Sequence, residues 1–351
     1  MNIEFKTNPS PELPPASIII PVYNGMNHIG KCLKSLLELE YPFFETIVVD
    51  DGSTDGTCMI INDFFGKMSN LFLIRSEKNQ GSAYARNQGV KQARFDILVF
   101  LDADCVVDKN WLKNLVEKVM ETGTCAAGRI ETVNSGISRW ADEEDKRWIE
   151  WKETYNIFHK RGFRWGLSGI FGIQRTLFDD IGEFDEILSR RVDGDYFIRL
   201  FKQGIKVVFV PSAVVFHHHP TSLRSYFRRG VAVAKATYLL NQKYGDPFRD
   251  TYRKRIHETQ CFMVCVALLI ILAFTKEYMF LSFFNPVVLF LFLLLLFFSF
   301  MSDLKLPLQV LLGKKSISGA ILDFVQHLGE KLGYLISMVF RKKYWKQQQQ
   351  P

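Results

Sequence analysis

From Ser17 onward, short runs of β-branched residues alternate with segments of helical period, an order that builds parallel strands joined by crossover helices. The spacing predicts a first strand over Ser17–Val22, then a helix over Ile29–Leu39 capped by Asn24, with Leu33, Leu36 and Leu37 on one face. A second strand follows at Glu45–Asp50, and Asp55 caps the next helix. Leu71–Ser76 is a third strand, Ser82–Ala93 a helix and Asp96–Leu101 a fourth strand. An amphipathic helix comes next over Asn110–Glu121, where Trp111, Leu112, Leu115, Val116 and Val119 recur at helical spacing. Four β-α units in succession predict an α/β domain with a mostly parallel, Rossmann-like sheet. Beyond them, the sequence predicts a Trp-rich helical stretch around Trp140–Trp151 and a Gly-rich segment, Gly162–Gly172, of the kind that shapes a pocket. A helix over Asp193–Gln203 stopped by Gly204 and a buried strand over Lys206–Val210 complete this half.

A second constraint lies near the C-terminus. Between Gln260 and Ser302 the only charged residues are Lys276 and Glu277, so this block is expected to be membrane material. It reads as a hairpin, Gln260–Phe274 and Met279–Met301, joined by a turn at Thr275–Tyr278; the first arm is short for a span. Ile321, Val325, Leu328, Leu332, Leu335 and Val339 then form a helical stripe opposed by Asp323, Gln326, Glu330 and Lys331, the pattern of an interfacial amphipathic helix. A third span packed through Gly329 and Gly333 is the alternative.

The net charge of +7 by itself fits nucleic acid, a membrane surface or an acidic ligand, and its distribution decides. Thr221–Arg255 carries nine Lys or Arg against two Asp, directly before the apolar block, and Arg341, Lys342, Lys343 and Lys346 follow the last apolar segment. Both flanks are therefore expected to face the cytoplasm, with membrane lipids rather than nucleic acid as the partner. The six cysteines show no paired C-x-x-C spacing, which predicts free thiols in a reducing compartment, and the Pro-rich N-terminus does not read as a signal peptide. The expected organisation is an N-terminal extension (1–15), a catalytic domain (16–230), a basic juxtamembrane linker (231–259), a transmembrane hairpin (260–301), and an amphipathic helix with a basic cytoplasmic tail (302–351).

In an open parallel sheet, ligands bind beyond the carboxyl ends of the strands. Here those ends are polar: Pro21, Val22, Tyr23 and Asn24 after the first strand, Asp50, Asp51, Gly52 and Ser53 after the second, Asp102, Ala103 and Asp104 after the fourth. Two carboxylates two residues apart at a strand end can share a divalent cation or a ribose hydroxyl. A lone D-x-D is more often a solvated turn. This one is accompanied by SIIIPVYNG (Ser17–Gly25), VVDDGSTDGT (Val48–Thr57), NQGSAYARNQG (Asn79–Gly89), FLDAD (Phe100–Asp104), GEFDE (Gly182–Glu186) and VDGDYFIRLFKQG (Val192–Gly204).

In that order and spacing, these motifs resemble the family 2 glycosyltransferases over Ala16–Arg229. The resemblance implies a GT-A nucleotide-diphospho-sugar transferase fold and an inverting transfer assisted by Mg²⁺ or Mn²⁺. It further implies that Pro21, Val22 and Tyr23 line the nucleoside pocket and that Asp51 accepts the imide hydrogen of the base. Arg86, just after Gly81, would meet base or diphosphate, with Asp102 and Ala103 near the ribose and Asp104 on the metal. The family's E-D-x-x-x-x-x-R pattern assigns the general base to Asp193 and a substrate contact to Arg199, although Val192 replaces the usual Glu; Asp195 is the rival carboxylate. Of His217, His218 and His219, His217 is the candidate to complete the metal site, against a structural role. The Q-x-x-R-W signature of processive synthases is missing, so a single transfer to a lipid-linked acceptor is expected over polymer synthesis or a non-catalytic scaffold. A nicotinamide-dependent dehydrogenase is disfavoured because no G-x-G-x-x-G follows the first strand.

Overall fold

The computed structural model describes residues 13–132, 154–155, 158–159, 162–163, 170–218 and 223–245, with Leu332 and Ile336. The expected membrane hairpin, the amphipathic helix with its tail, the Trp140–Trp151 stretch and His219 lie outside the described residues, apart from those two positions. Within the described residues no helix is long and apolar enough to cross a membrane.

The elements in chain order are β1 (Ala16–Val22), α1 (Ile29–Leu37), β2 (Phe44–Asp50), α2 (Thr57–Phe65), β3 (Leu71–Arg75), α3 (Ser82–Gln92), β4 (Ile97–Phe100), β5 (Cys105–Val107), α4 (Trp111–Thr122) and β6 (Cys125–Thr132). Two-residue strands β7 (Thr154–Tyr155), β8 (Phe158–His159) and β9 (Gly162–Phe163) precede β10 (Phe171–Gln174), α5 (Arg175–Ile181), α6 (Val192–Lys202), β11 (Val207–His217) and α7 (Leu223–Tyr244). The chain divides into two compact units; the first holds residues 1–133, 144–159 and 164–219, and with them the sheet described next. In the second unit, α7 carries Arg224 and Arg228 on its exposed side, while Ala234, Ala236, Tyr238 and Leu240 are buried. Because α7 is continuous from Leu223 to Tyr244, the expected domain boundary at Gly230 falls inside a helix.

The main sheet has the order β3-β2-β1-β4-β10-β6-β11-β5, with β7 on β11. Its first four strands are parallel, as the β-α alternation requires. The rest corrects the expectation of a mostly parallel sheet: β10 runs antiparallel to both β4 and β6, and β5 is antiparallel to β11, which is itself parallel to β6. The central strands are apolar on both faces because both are covered. Ile18, Ile20 and Val48 join the core under α1 and α4, while Ile47 and Val49 face Ala85 of α3. Around Phe100, α5, α6 and the intervening turn add Phe178, Phe184, Tyr196 and Phe197, with Phe171 stacked on Tyr196. Phe171, expected in a pocket-shaping loop, is thus fully buried in β10.

Two local expectations are also corrected. Asn24 does not cap α1: His28 holds that position, and Asn24 adopts a left-handed φ of 50° while its Oδ1 accepts the Thr54 amide at 2.8 Å. The strand expected to stop at Val210 runs on to His217, because a register shift between Val210 and Val214 absorbs Pro211, which cannot donate to a ladder, and pairing then resumes.

Candidate active site

Parallel pairing sets β1, β2 and β4 with their carboxyl ends at one rim; Val22 lies opposite Asp50, and Ile19 opposite Phe100. The turns beyond them are stitched together. The Asn24 amide donates to Ser53 Oγ at 2.8 Å, the Gly25 amide to Thr57 Oγ1 at 2.9 Å and the Met26 amide to Asp55 Oδ2 at 3.2 Å. Much of the YNG and DGSTDGT motifs therefore builds the loops themselves. Pro21 and Val22 belong to β1, where Val22 is buried and its carbonyl takes the Asp51 amide, which leaves Tyr23, 49% exposed, as the member of that trio open to a ligand.

Asp51 lies buried below the rim, and its two oxygens accept the amides of Gln80 and Gly81 at 2.9 and 2.7 Å. Burial pushes its carboxyl above the ordinary value, and the two amides pull the other way. It fixes the loop that precedes α3, and each oxygen keeps further acceptor capacity. Gly81 carries φ 102°, a conformation that an L side chain rarely adopts, and no atom crowds the position a Cβ would take.

Arg86 and Asp102 form the tightest ionic contact of the rim, Nη2 to Oδ1 at 2.6 Å. Arg86 is 6% exposed, stands over the Phe184 ring, and has no partner at its buried Nε. Arg86, expected to meet base or diphosphate, is thus a buried cation whose charge bears on Asp102 and Asp193. Asp193 sits in the first turn of α6, partly buried. Burial pushes its carboxyl above the ordinary carboxylate range, the Arg86 charge opposes that, and the Asp102 charge adds to it.

The rival carboxylate and the motif arginine have another task. Asp195 is fully buried and accepts Arg199 Nε at 3.0 Å. The remaining Arg199 donors reach the carbonyls of Ile181, Gly182 and Glu183 at 2.7, 3.1 and 2.8 Å. Arg199 is therefore a strut between α6 and the turn after α5, not the expected substrate contact, since its guanidinium is spent on protein oxygens.

Asp104 and His217 meet at the far side of the same loop, Oδ1 to Nε2 at 3.3 Å, with 38% and 15% of their side chains exposed. Burial favours the neutral Asp104 carboxyl, but the hydrogen bond and charge of His217, helped by His28, outweigh it and hold the group at about 2. Cys105, which the sequence did not mark as functional, completes a cluster of three donor atoms within 4.8 Å of one another. Its only signal was adjacency to the acidic pair. Its thiol is pushed well above the usual value by burial and by the charges of Asp104 and Asp102. A carboxylate and an imidazole that converge and remain partly open fit a divalent cation. His28 and His218, whose ring centroids lie 5.6 Å apart, were likewise unmarked as a pair. The four described cysteines, Cys32, Cys58, Cys105 and Cys125, are free thiols.

Comparison with known proteins places this architecture. The family model described as "Glycosyl transferase family 2" matches residues 17–182. Glycosyltransferase AglE of Haloferax volcanii is 42% identical over 209 residues, 58% of this chain and 67% of that protein. This chain belongs to glycosyl transferase family 2. The enzyme's mixed α/β architecture, a parallel half of the sheet continued by a mixed one, is GT-A-like. More distant relatives of this glycosyltransferase include the pre-mycofactocin glycosyltransferase of Mycobacterium tuberculosis, 28% identical over 61% of this chain and 44% of that protein. The poly-beta-1,6-N-acetyl-D-glucosamine synthase of Staphylococcus epidermidis is 27% identical over 62% of this chain and 53% of that protein. The match thus spans about half to two thirds of these relatives' own length. Among solved structures, S. aureus TarS 1-349 in complex with UDP aligns over 62% of this chain and 64% of that one, at 24% identity and a TM-score of 0.48.

Proposed function

We propose that this glycosyltransferase moves a sugar from a nucleotide-diphospho-sugar, in an inverting single displacement, to a hydroxyl or phosphate of a lipid-linked acceptor. The observation that carries the reading is the gathering of Asp102, Asp104 and His217 at strand ends of one sheet, with Arg86 of α3 paired to Asp102 and Asp193 of α6 close enough to feel the charges of both. Tyr23 and Asp51 would receive the nucleoside, Asp51 through the acceptor capacity that the Gln80 and Gly81 amides leave. Asp102, turned by Arg86, would meet the ribose. Asp104 and His217 would hold a divalent cation, which supplies charge neutralisation as the nucleoside diphosphate departs.

Asp193 is the base. An acceptor hydroxyl becomes a competent nucleophile when a positioned carboxylate takes its proton as the bond forms, an effect of about 10²–10⁴ in rate. A carboxyl raised above its ordinary value is a better match to that proton than a solvated one, provided it stays ionised at working pH. The nearby Arg86 charge provides for that. Asp195 cannot substitute, because Arg199 holds it in the interior.

The lipid-linked acceptor rests on the apolar block at 260–302 and on the basic residues that flank it, which suit a chain held at the cytoplasmic face of a membrane. Anchoring raises the local concentration of an acceptor confined to the same bilayer. Transfer assays with radiolabelled donor test this directly: polyprenyl-phosphate or glycolipid acceptors should be labelled with one residue each. Labelling of soluble oligosaccharides but no lipid would remove the acceptor proposal, and a ladder of long products would favour a processive synthase.

A further inference from the structure

We propose that Asn87 is a positioning residue for the transfer: by clamping the turn after α5 onto α3 it holds Phe184 under Arg86, and so sets where that cation stands relative to Asp102 and Asp193. The proposal rests on the transfer reading above and adds to it a buried residue that acts through its neighbours.

The clamp starts from two neighbours on one helix. Arg86 and Asn87 are adjacent in α3, so their side chains leave it about 100° apart; one reaches Asp102 at 2.6 Å and the other the 184–186 turn. Asn87 is 1% exposed. Its Oδ1 accepts the Phe184 amide at 2.9 Å while its Nδ2 donates to the Phe184 carbonyl at 3.0 Å, the two-way exchange that a neighbouring strand makes with one residue. The same Nδ2 donates to Glu186 Oε1 at 2.9 Å, so both hydrogens of the amide are used. Asp, the isostere, would set an anion against a carbonyl and a carboxylate, and Gln would carry one methylene too many.

The ring that the clamp fixes touches three parts of the site. Arg86 Cζ stands 5.8 Å from the Phe184 centroid, Phe100 at the end of β4 meets that ring edge-on at 5.0 Å, and the Tyr196 ring of α6 lies 4.8 Å away. Phe100 comes two residues before Asp102, and Tyr196 less than one turn after Asp193. From the opposite side, Arg199 binds the carbonyls of Ile181, Gly182 and Glu183. The turn is therefore fastened to α3 by Asn87 and to α6 by Arg199, and it joins the helix that carries Arg86 to the helix that carries Asp193. Lys91, one turn beyond Asn87, adds a tie to Glu183 at 3.2 Å, but both side chains are half exposed and the pair contributes little. Loss of Asn87 releases the α3 side: the Phe184 amide and carbonyl lose these partners, the ring can leave Arg86, and the spacing of Arg86 and Asp193 is no longer fixed. Misplacement by about 1 Å at a reacting site costs about a hundredfold in rate.

A double-mutant cycle separates positioning from stability alone. The full chain in detergent with lipid extract is assayed for nucleotide release, using the donor that the wild type turns over from a panel of UDP-, GDP- and dTDP-sugars. Circular dichroism sets a temperature at which each variant is folded. Asn87→Ala and Arg86→Met should each lower kcat/KM by about 10- to 100-fold. Together they should fall short of the product of the two losses by about tenfold, because Asn87 acts through Arg86. Phe184→Leu, which keeps the backbone groups that Asn87 binds, should show the same coupling to Arg86→Met and carries the test if Asn87→Ala does not fold. Losses that simply multiply, or an Asn87→Ala enzyme with unchanged kcat/KM, would overturn the proposal. Asp193→Asn in the same assay tells the two readings apart: a loss there leaves the transfer reading standing without the clamp, and no loss removes both.

Discussion

Arg86 holds one charge against two carboxylates, and in the proposed mechanism the balance between them sets the working range of Asp193 as base. Its short bond to Asp102 orients that carboxylate, while its field lowers the Asp193 carboxyl that burial has raised. The sign follows: the base works only when ionised, so kcat should fall on the acid side through an apparent value above the ordinary 3.8. Removing the cation must raise that value further. Arg86→Met should therefore shift the acid limb of the kcat profile to higher pH, in addition to raising the KM for donor. A limb that stays in place would mean that Arg86 and Asp193 are not coupled.

Helix α6 shows why a motif can be read correctly as a pattern and still mislead at one residue. The helix itself was legible in the period of Phe197, Ile198 and Leu200, and so was the Asp in its first turn. Arg199 was expected at the substrate because nothing in a linear sequence reveals that three carbonyls of the 181–183 turn would surround its guanidinium. Arg199→Met should strip the buried Asp195 carboxylate of its ionic partner at a cost of about 3 kcal/mol, seen as a lower midpoint in chemical denaturation. The first three parallel β-α units were visible to within a few residues because propensity and period agree there. Strands β5, β6 and β10 were not, since three residues of CVV, the small side chains of CAAG and a short run after a glycine-rich segment carry little period-2 signal. They are strands because the sheet edge offers them partners. A similar tertiary fact governs Gly89, where a Cβ would stand 2.4 Å from Ile19 Cγ2 between α3 and β1. Gly89→Ala should destabilise by about 1–3 kcal/mol in the same assay, despite its better helix propensity.

At the scale of the whole molecule, the sheet-bearing unit carries the residues of the proposed chemistry, and the proposed membrane location rests on the basic and apolar sequence beyond it. Asp193, Arg86, Asp102, Asp104 and His217 all belong to the first compact unit, so the proposed base, donor floor and cation ligands share one framework. The acidic loops were readable because strand ends of a parallel sheet meet at one rim. Their hydrogen-bond assignments were not, because Asp51 and Asn24 brace the rim loops and Arg199 ties α6 to the 181–183 turn. The central claim, a metal-assisted transfer with Asp193 as base, is tested most directly by nucleotide release from a panel of UDP-, GDP- and dTDP-sugars. The assay uses the full chain with lipid extract, with and without EDTA, beside Asp193→Asn. The account predicts release from one donor class, lost with EDTA and reduced about 10²–10⁴-fold in kcat by Asp193→Asn with donor binding retained. Release that proceeds undiminished in Asp193→Asn would contradict it.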